Sequence, residues 1–248
     1  KMLTIAYDSD WKVVGRRRRK TRGRDGSDTG IARIGSTIDR LLNENDIDPK
    51  RIAGIGIGCP GPIDLEKGRI LTTPNLGWDD VEVASFLEER FGCPAVVLND
   101  VDAGVFGEYQ FGAGRGARWV VGILPGTGIG GGCVYQGNLL QGANCTCMEI
   151  GHIPILTGGP LDGAGNEGSL ESVASRLAIA GGAAQAAYRG HAPALRNLAG
   201  TDVSSIRSGV LAQSLKEGDD AVEEILIKAA QDLATGVVTI VHLLAPDI

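Results

Sequence analysis

The chain has 248 residues, 43% of them hydrophobic and 22% charged, a composition that suits one large or two modest folded domains and excludes wholesale disorder. A formal net charge of -6 argues against a nucleic-acid surface spread over the whole molecule. Five scattered cysteines form no disulfide framework, no signal peptide opens the sequence, and no apolar run is read as reaching the roughly eighteen residues of a membrane span, so a cytoplasmic protein without a membrane partner is expected.

Met2 to Tyr7 and Lys12 to Lys20 flank the turn Asp8-Ser9-Asp10, which predicts an opening β-hairpin. Its second arm carries the basic run Arg16, Arg17, Arg18, Arg19 and Lys20, followed by Arg22 and Arg24. In an acidic chain this run is expected to be a solvated strand and loop rather than a binding patch. Ile31, Ile34, Ile38, Leu41 and Leu42 recur at helical spacing behind a cap at Ser27 or Asp28. Ile52 to Ile57 alternates apolar residues with glycine and runs into the turn Cys59-Pro60-Gly61-Pro62. A second hairpin is expected over Ile63 to Leu71, then a helix from a cap at Asp79 or Asp80 through Phe91. Ala95 to Leu98 predicts a buried strand that ends on Asn99-Asp100, and Val101 to Phe111 a helix. Arg118 to Leu124 and Gly131 to Tyr135 predict two further strands. Beyond Gly151 the pattern becomes a loop over Gly158 to Gly168 and then helices, including a long one from Asp219 to Leu244. Strands alternating with helices, then helices alone, predict an α/β protein of two lobes, residues 1–101 and residues 102–248, the second helix-rich after residue 168.

The excess of glycine, 38 residues, is concentrated in Gly126-Thr127-Gly128-Ile129-Gly130-Gly131-Gly132. That run satisfies the G-x-G-x-x-G spacing of dinucleotide sites, with Glu149 as a candidate ribose acid. The dinucleotide reading requires a helix directly after the glycines, whereas Cys133-Val134-Tyr135-Gln136-Gly137-Asn138 predicts a strand and a turn. A glycine-rich turn between strands can still cradle phosphate with its backbone amides, assisted by the Thr127 hydroxyl, or be a plain hairpin turn. Asp100 stands at a strand end, where open α/β sheets bind ligands, and where an Asp can equally be a helix cap. Glu149 and His152 lie three apart around Gly151, with Glu171 beyond, a set able to accept from and donate to hydroxyl groups. A metal site from Cys145, Cys147 and His152 matches no common zinc spacing.

Five segments occur in a telling order: Gly56-Ile57-Gly58-Cys59-Pro60-Gly61-Pro62-Ile63-Asp64, Pro74-Asn75-Leu76-Gly77-Trp78, Leu98-Asn99-Asp100, Gly126 to Gly132, and Glu149-Ile150-Gly151-His152. Together they resemble the ROK family of bacterial glucokinases, N-acetylhexosamine kinases and sugar-responsive repressors, from the first residue to the last. The resemblance implies a two-lobed, actin-like ATPase (ribonuclease H-like) fold that closes on sugar and nucleotide. It implies an ATP- and Mg²⁺-dependent hexose kinase, glucokinase first, with Asp100 as the base. It also implies Gly61, Asn75, Asn99, Glu149, His152 and Glu171 as sugar contacts beside Asp100, and Gly126, Thr127 and Gly128 as a phosphate-binding loop. The expected partners are a hexose and a second copy of the chain. The alternative is the sugar-binding module of a ROK repressor, with nucleic acid as a partner only through a DNA-binding domain ahead of residue 1.

Three departures from the family pattern stand out. The family's first phosphate motif, Asp-x-Gly-Gly-Thr-Lys, is absent, with Lys1 matching its last residue. Leu243 to Ile248 resembles the lead into an adenosine-binding turn that is also absent. These two gaps create the expectation that the chain as given binds hexose but transfers phosphate poorly. The cysteine positions of the family's Cys-x-Cys-Gly-x-x-Gly-Cys zinc motif hold Asp162, Ala164 and Ser169. With only His152 left of four ligands, structural zinc is not expected and no metal-binding residue is assigned.

Overall fold

The computed structural model describes residues 1–73, 76–145 and 147–248. Contacts divide the chain into two compact units, Lys1–Gly104 with Gln141–Thr146, and Val105–Leu140 with Cys147–Ile248.

The first unit opens with the antiparallel hairpin of β1 (Met2–Tyr7) and β2 (Val13–Arg19). Helix α1 (Ser27–Glu44) packs on one face of this hairpin, and the strand period of two decides the fate of the basic run. Arg17 pairs with Glu44 and Arg19 donates to Ser36 Oγ at 2.8 Å, while Arg16 and Arg18 point to solvent. The cap of α1 is Gly26, at φ 95°, rather than Ser27 or Asp28. Strand β3 (Ile55–Cys59) then leads to a three-stranded antiparallel sheet of β4 (Ile63–Asp64), β5 (Arg69–Thr73) and β6 (Trp78–Glu82).

Sequence pattern assigned Asp79 or Asp80 to a helix cap; both lie in β6, and helix α2 (Val83–Phe91) starts only after Glu82. Tertiary pairing overrides the local cap signal. Val81 and Trp78 are buried against β5, and Arg69 holds Asp80 at 2.6 Å. Trp78 also donates its indole N–H to Gly23 O at 3.0 Å, and Gly30 of α1 leaves room for its ring. Strand β7 (Ala95–Asn99) pairs in parallel with β3 and delivers the chain into helix α3 (Asp100–Phe111). Of β7 only Val97 is fully buried, and Val96 is 58% exposed, so this strand is half covered rather than buried. Ile34, Ile38, Leu42, Ile63, Ile70, Leu87 and Val97 form the core of the unit.

The second unit is built on β8 (Trp119–Pro125), β9 (Ile129–Tyr135) and β10 (Asn138–Leu139), an antiparallel sheet in the order β10-β9-β8. Helices α4 (Leu170–Ala174), α5 (Arg176–Tyr188), α6 (Pro193–Ala199), α7 (Ser208–Lys216) and α8 (Asp220–Leu244) follow the loop. Alanine-rich α5 packs closely with α6 and α8 around Leu195, Ile206 and Val222. Contrary to the sequence expectation, α8 is by length and composition apolar enough to cross a membrane. Within the unit it packs on α4, α5 and α7, and its Gly236 receives the fully buried Leu170. That contact explains a glycine inside a helix, where it costs about 1 kcal/mol relative to Ala.

Helix α6 has no capping side chain of its own at Ala192. Asp219, 3% exposed, supplies the cap from the start of α8, accepting from Ala194 N at 3.1 Å, Leu195 N at 2.7 Å and Ser214 Oγ at 2.6 Å. Burial alone would raise the Asp219 pKa, but the bonds from Ser214, Leu195 and Ala194 outweigh it and hold the group below 3.8. A depressed native pKa stabilises the fold above the unfolded value, and that contribution disappears as pH falls through the native one. Asp219→Ala is therefore expected to cost roughly 1–3 kcal/mol at neutral pH by orphaning buried donors. In urea titrations the gap between the wild type and the variant should narrow as the solution is made acidic enough to protonate Asp219, below the ordinary carboxylate range.

Candidate functional site

In the first unit, the turn at Gly61 and the Asn99–Asp100 turn are joined by a side-chain hydrogen bond. Gly61 sits at φ 92°, and a Cβ there would lie 2.1 Å from Thr72 O, so the turn after β3 accepts only glycine. Asn99 Nδ2 donates to Gly61 O at 3.0 Å, and its Oδ1 accepts from Val101 N at 2.8 Å and Asp102 N at 3.3 Å. Asn99 thus caps α3, a role that the sequence alone left open to Asp100. Asp100 stays exposed at the end of β7, and its charge, after burial itself, pushes the neighbouring Cys59 thiol up to about 12. Gly58 lets β3 lie beside this turn, because a Cβ there would be 3.2 Å from Asp100 Cα. Asn75, expected on the same pocket floor, lies outside the described residues.

In the second unit, the glycine run divides into two jobs. Gly126, Thr127 and Gly128 make the β8–β9 turn, and a strand follows them, which rules out the dinucleotide fingerprint. Gly130, Gly131 and Gly132 belong to β9, where Gly131 leaves space for Met148 O and the Ile150 side chain. Gly151 in turn leaves space for Ile129 O, at 2.0 Å from its would-be Cβ. These absences of side chain allow the short helical turn Ile150–His152 to lie against β9. The β8–β9 turn is anchored from α5, whose Arg176 N donates to Gly126 O at 3.0 Å and whose guanidinium reaches Thr127 Oγ1. A cleft of about 870 Å³ opens beside Thr127, lined also by Arg176, Asp202, Ser204, Arg207 and Ser208.

Glu149, His152 and Glu171 gather in this unit. Glu149 Oε2 is 4.0 Å from His152 Nε2. Glu171 Oε2 accepts from Ile129 N at 2.9 Å, which ties the acid to the end of the glycine turn. His152 Nδ1 lies 2.7 Å from Asp162 Oδ2. Burial draws the imidazole pKa down, but the bond and charge of Asp162, with the charges of Glu171 and Glu149, reverse that and raise it. Burial likewise acts to raise the Asp162 pKa, yet bonds from Ser169, His152 and Asn166 hold that carboxyl well below the usual range.

Asp162, noted in the sequence only as standing in a cysteine position, and Arg176 are absent from the expected site residues. The Asp-Gly-Ala-Gly-Asn run around Asp162 is the signal that could have shown it, because Asp readily closes such a turn on its own backbone. Nothing local marks Arg176. Among the described residues no group of three or more His, Cys, Asp or Glu is arranged to hold a metal ion, and Cys145, Cys147 and His152 form no such group.

Comparison with known proteins gives this geometry a family. The chain is 33% identical to the glucokinase of Thermotoga maritima over 96% of its own length and 74% of that protein's. It is 30% identical to the xylose repressor of Caldicellulosiruptor bescii over 85% of this chain, and spans about half (52%) of that protein. Among solved structures, a ROK family glucokinase from Streptomyces griseus in complex with glucose and AMPPNP superposes with a TM-score of 0.79 at 28% identity, over 97% of this chain and 75% of that one. These neighbours carry the actin-like ATPase fold, and the expectation of that fold holds. The ROK family model matches residues 1–248, and the chain belongs to the ROK family.

Proposed function

We propose that this protein is an ATP-dependent hexose kinase of the glucokinase type. The observation that carries the proposal is the β7–α3 turn, in which Asn99 caps the helix and Asp100 remains an exposed carboxylate at a strand end. In this mechanism Asp100 accepts the proton of the attacking sugar hydroxyl. Gly61 and Asn99 shape the pocket floor beside it. Glu149 and Glu171 accept sugar hydroxyls, Glu171 through Oε1 because Oε2 serves Ile129, and His152 presents Nε2. The turn Gly126–Gly128 receives phosphate through backbone amides and the Thr127 hydroxyl, with Arg176 as its anchor. The lobes of residues 1–101 and 102–248 belong to this proposal.

Phosphoryl transfer passes through a loose transition state, so positioning and charge stabilisation supply most of the acceleration and the base mainly orients the nucleophile. The glucokinase relatives and the glucose–AMPPNP complex of the Streptomyces griseus enzyme support hexose and ATP as the substrates. Mg²⁺ is expected to arrive with the nucleotide.

The xylose repressor relatives support a second hypothesis, a sugar-binding module that performs no transfer. A coupled ADP-release assay of the whole protein against a panel of hexoses and N-acetylhexosamines separates the two. Sugar-dependent ADP release is the expected result. Hexose binding in calorimetry with no ADP release would instead establish the binding module.

A further inference from the structure

Asp162 does more than close its own loop. The loop over residues 157–168 is already bridged at Leu161–Glu167 and pinned at its base by Ile155 N to Gly168 O (2.9 Å) and Gly168 N to Pro160 O (2.8 Å). Inside it the Asp162 side chain is 0% exposed. Its Oδ1 accepts from Ala164 N and Asn166 N, both at 2.9 Å, which makes the tight turn. Oδ2 is then directed away from the loop backbone, 3.2 Å from Asn166 Nδ2 and 2.7 Å from His152 Nδ1. A carboxylate that served only the loop would not need to reach an imidazole ten residues upstream.

The consequence falls on His152. A carboxylate can only accept, so Nδ1 must carry a proton, and the neutral ring then keeps Nε2 bare. The same bond sets the ring plane and leaves Nε2 on the side of Glu149 Oε2, 4.0 Å away. We propose that Asp162 is the positioning residue that fixes the tautomer and orientation of His152, so that Nε2 and Glu149 face a hexose hydroxyl as one preset pair. The inference rests on the hexose reading above. It also gives the loop a reason to hold its shape through a carboxylate, at the point where Asp162 stands in a family cysteine position. Outer partners of a functional histidine control its basicity and direction, and their loss typically costs about 10–100-fold in affinity or activity.

Asp162→Asn is the informative variant, because its shape is unchanged and the two loop amides still claim its single oxygen. Its NH₂ must then face His152 Nδ1 and donate to it, which inverts the imidazole tautomer, while the Asn166 amide turns its oxygen toward the same NH₂. Two measurements on the whole protein test this. Long-range ¹H–¹⁵N spectra at alkaline pH, where the ring is neutral, should show His152 protonated at Nδ1 in the wild type and at Nε2 in Asp162→Asn. Calorimetry with the best hexose should show affinity weakened about 10–100-fold, and steady-state assays should place the loss in KM more than in kcat. Unchanged circular dichroism in the variant confirms that the loop holds. An unchanged tautomer would overturn the proposal, and so would an inverted tautomer with unchanged hexose affinity. Failure of the kinase reading is separate: it shows as absent ADP release in the wild type, while the spectra and the calorimetry still decide the role of Asp162.

Discussion

Asp100→Asn is expected to lower turnover about 10²–10⁴-fold while hexose affinity in calorimetry stays within a few-fold of the wild type. The geometry makes the variant a clean one. Asn99 already caps α3, and the amide oxygen of the substituted side chain can keep the 3.1 Å bond from Val101 N that Asp100 Oδ1 now accepts. What disappears is a proton acceptor and one negative charge at a helix N-terminus, and the charge is worth only about 0.3–1 kcal/mol of stability. A loss that small leaves the protein folded, so a collapse in turnover reads the base itself. Near-normal turnover in Asp100→Asn would show that another group takes the proton. A large loss of hexose binding would show that Asp100 is chiefly a sugar contact.

The sequence carried the opening hairpin and the helices through short apolar runs, helical spacing and turn residues. Met2–Tyr7 and β8 are short, largely apolar runs, and the turns at Asp8–Asp10 and Gly126–Gly128 set them off from the strands that return beside them. It misread places where a distant partner decides the outcome. Asp79 and Asp80 look like helix caps in isolation, yet β5 recruits them into a third strand through Val81 and Arg69. Val96 looks like core in a four-residue apolar run, but β7 pairs only with β3 and leaves that face open among the described residues. The ROK resemblance was legible because five ordered motifs needed no tertiary information. Asp162 was not, because its importance lies in a contact with His152 that no spacing rule marks. The glycine run was half legible: its density signalled close approach, but part of that approach is by residues 148–150 of the same chain rather than by a ligand.

That division of the glycines yields a paired experiment. A Cβ on Gly126 would meet only Gly128 O, at 3.7 Å, an ordinary contact, so Gly126→Ala should fold with unchanged stability. A Cβ on Gly128 would lie 2.1 Å from Glu171 Oε2 and 2.8 Å from its Cδ. Glu171 could swing aside, but that breaks its 2.9 Å bond to the amide of Ile129, a residue 3% exposed, and orphaning such a donor costs about 1–3 kcal/mol. Gly128→Ala should therefore be less stable in urea and should also lose the placement of a proposed sugar carboxylate. If the turn cradles phosphate, a methyl group at either position keeps the transferring group away from the backbone amides. Losing one such donor costs about 10²–10³-fold in rate. The expected result is a turnover loss of that order in both variants, with raised KM for ATP in both, raised KM for hexose only in Gly128→Ala, and reduced stability only in Gly128→Ala. Gly126→Ala with wild-type turnover would reduce the run to a hairpin turn and a packing surface, and the phosphate site would have to be sought elsewhere along the cleft lined by Arg176 and Arg207.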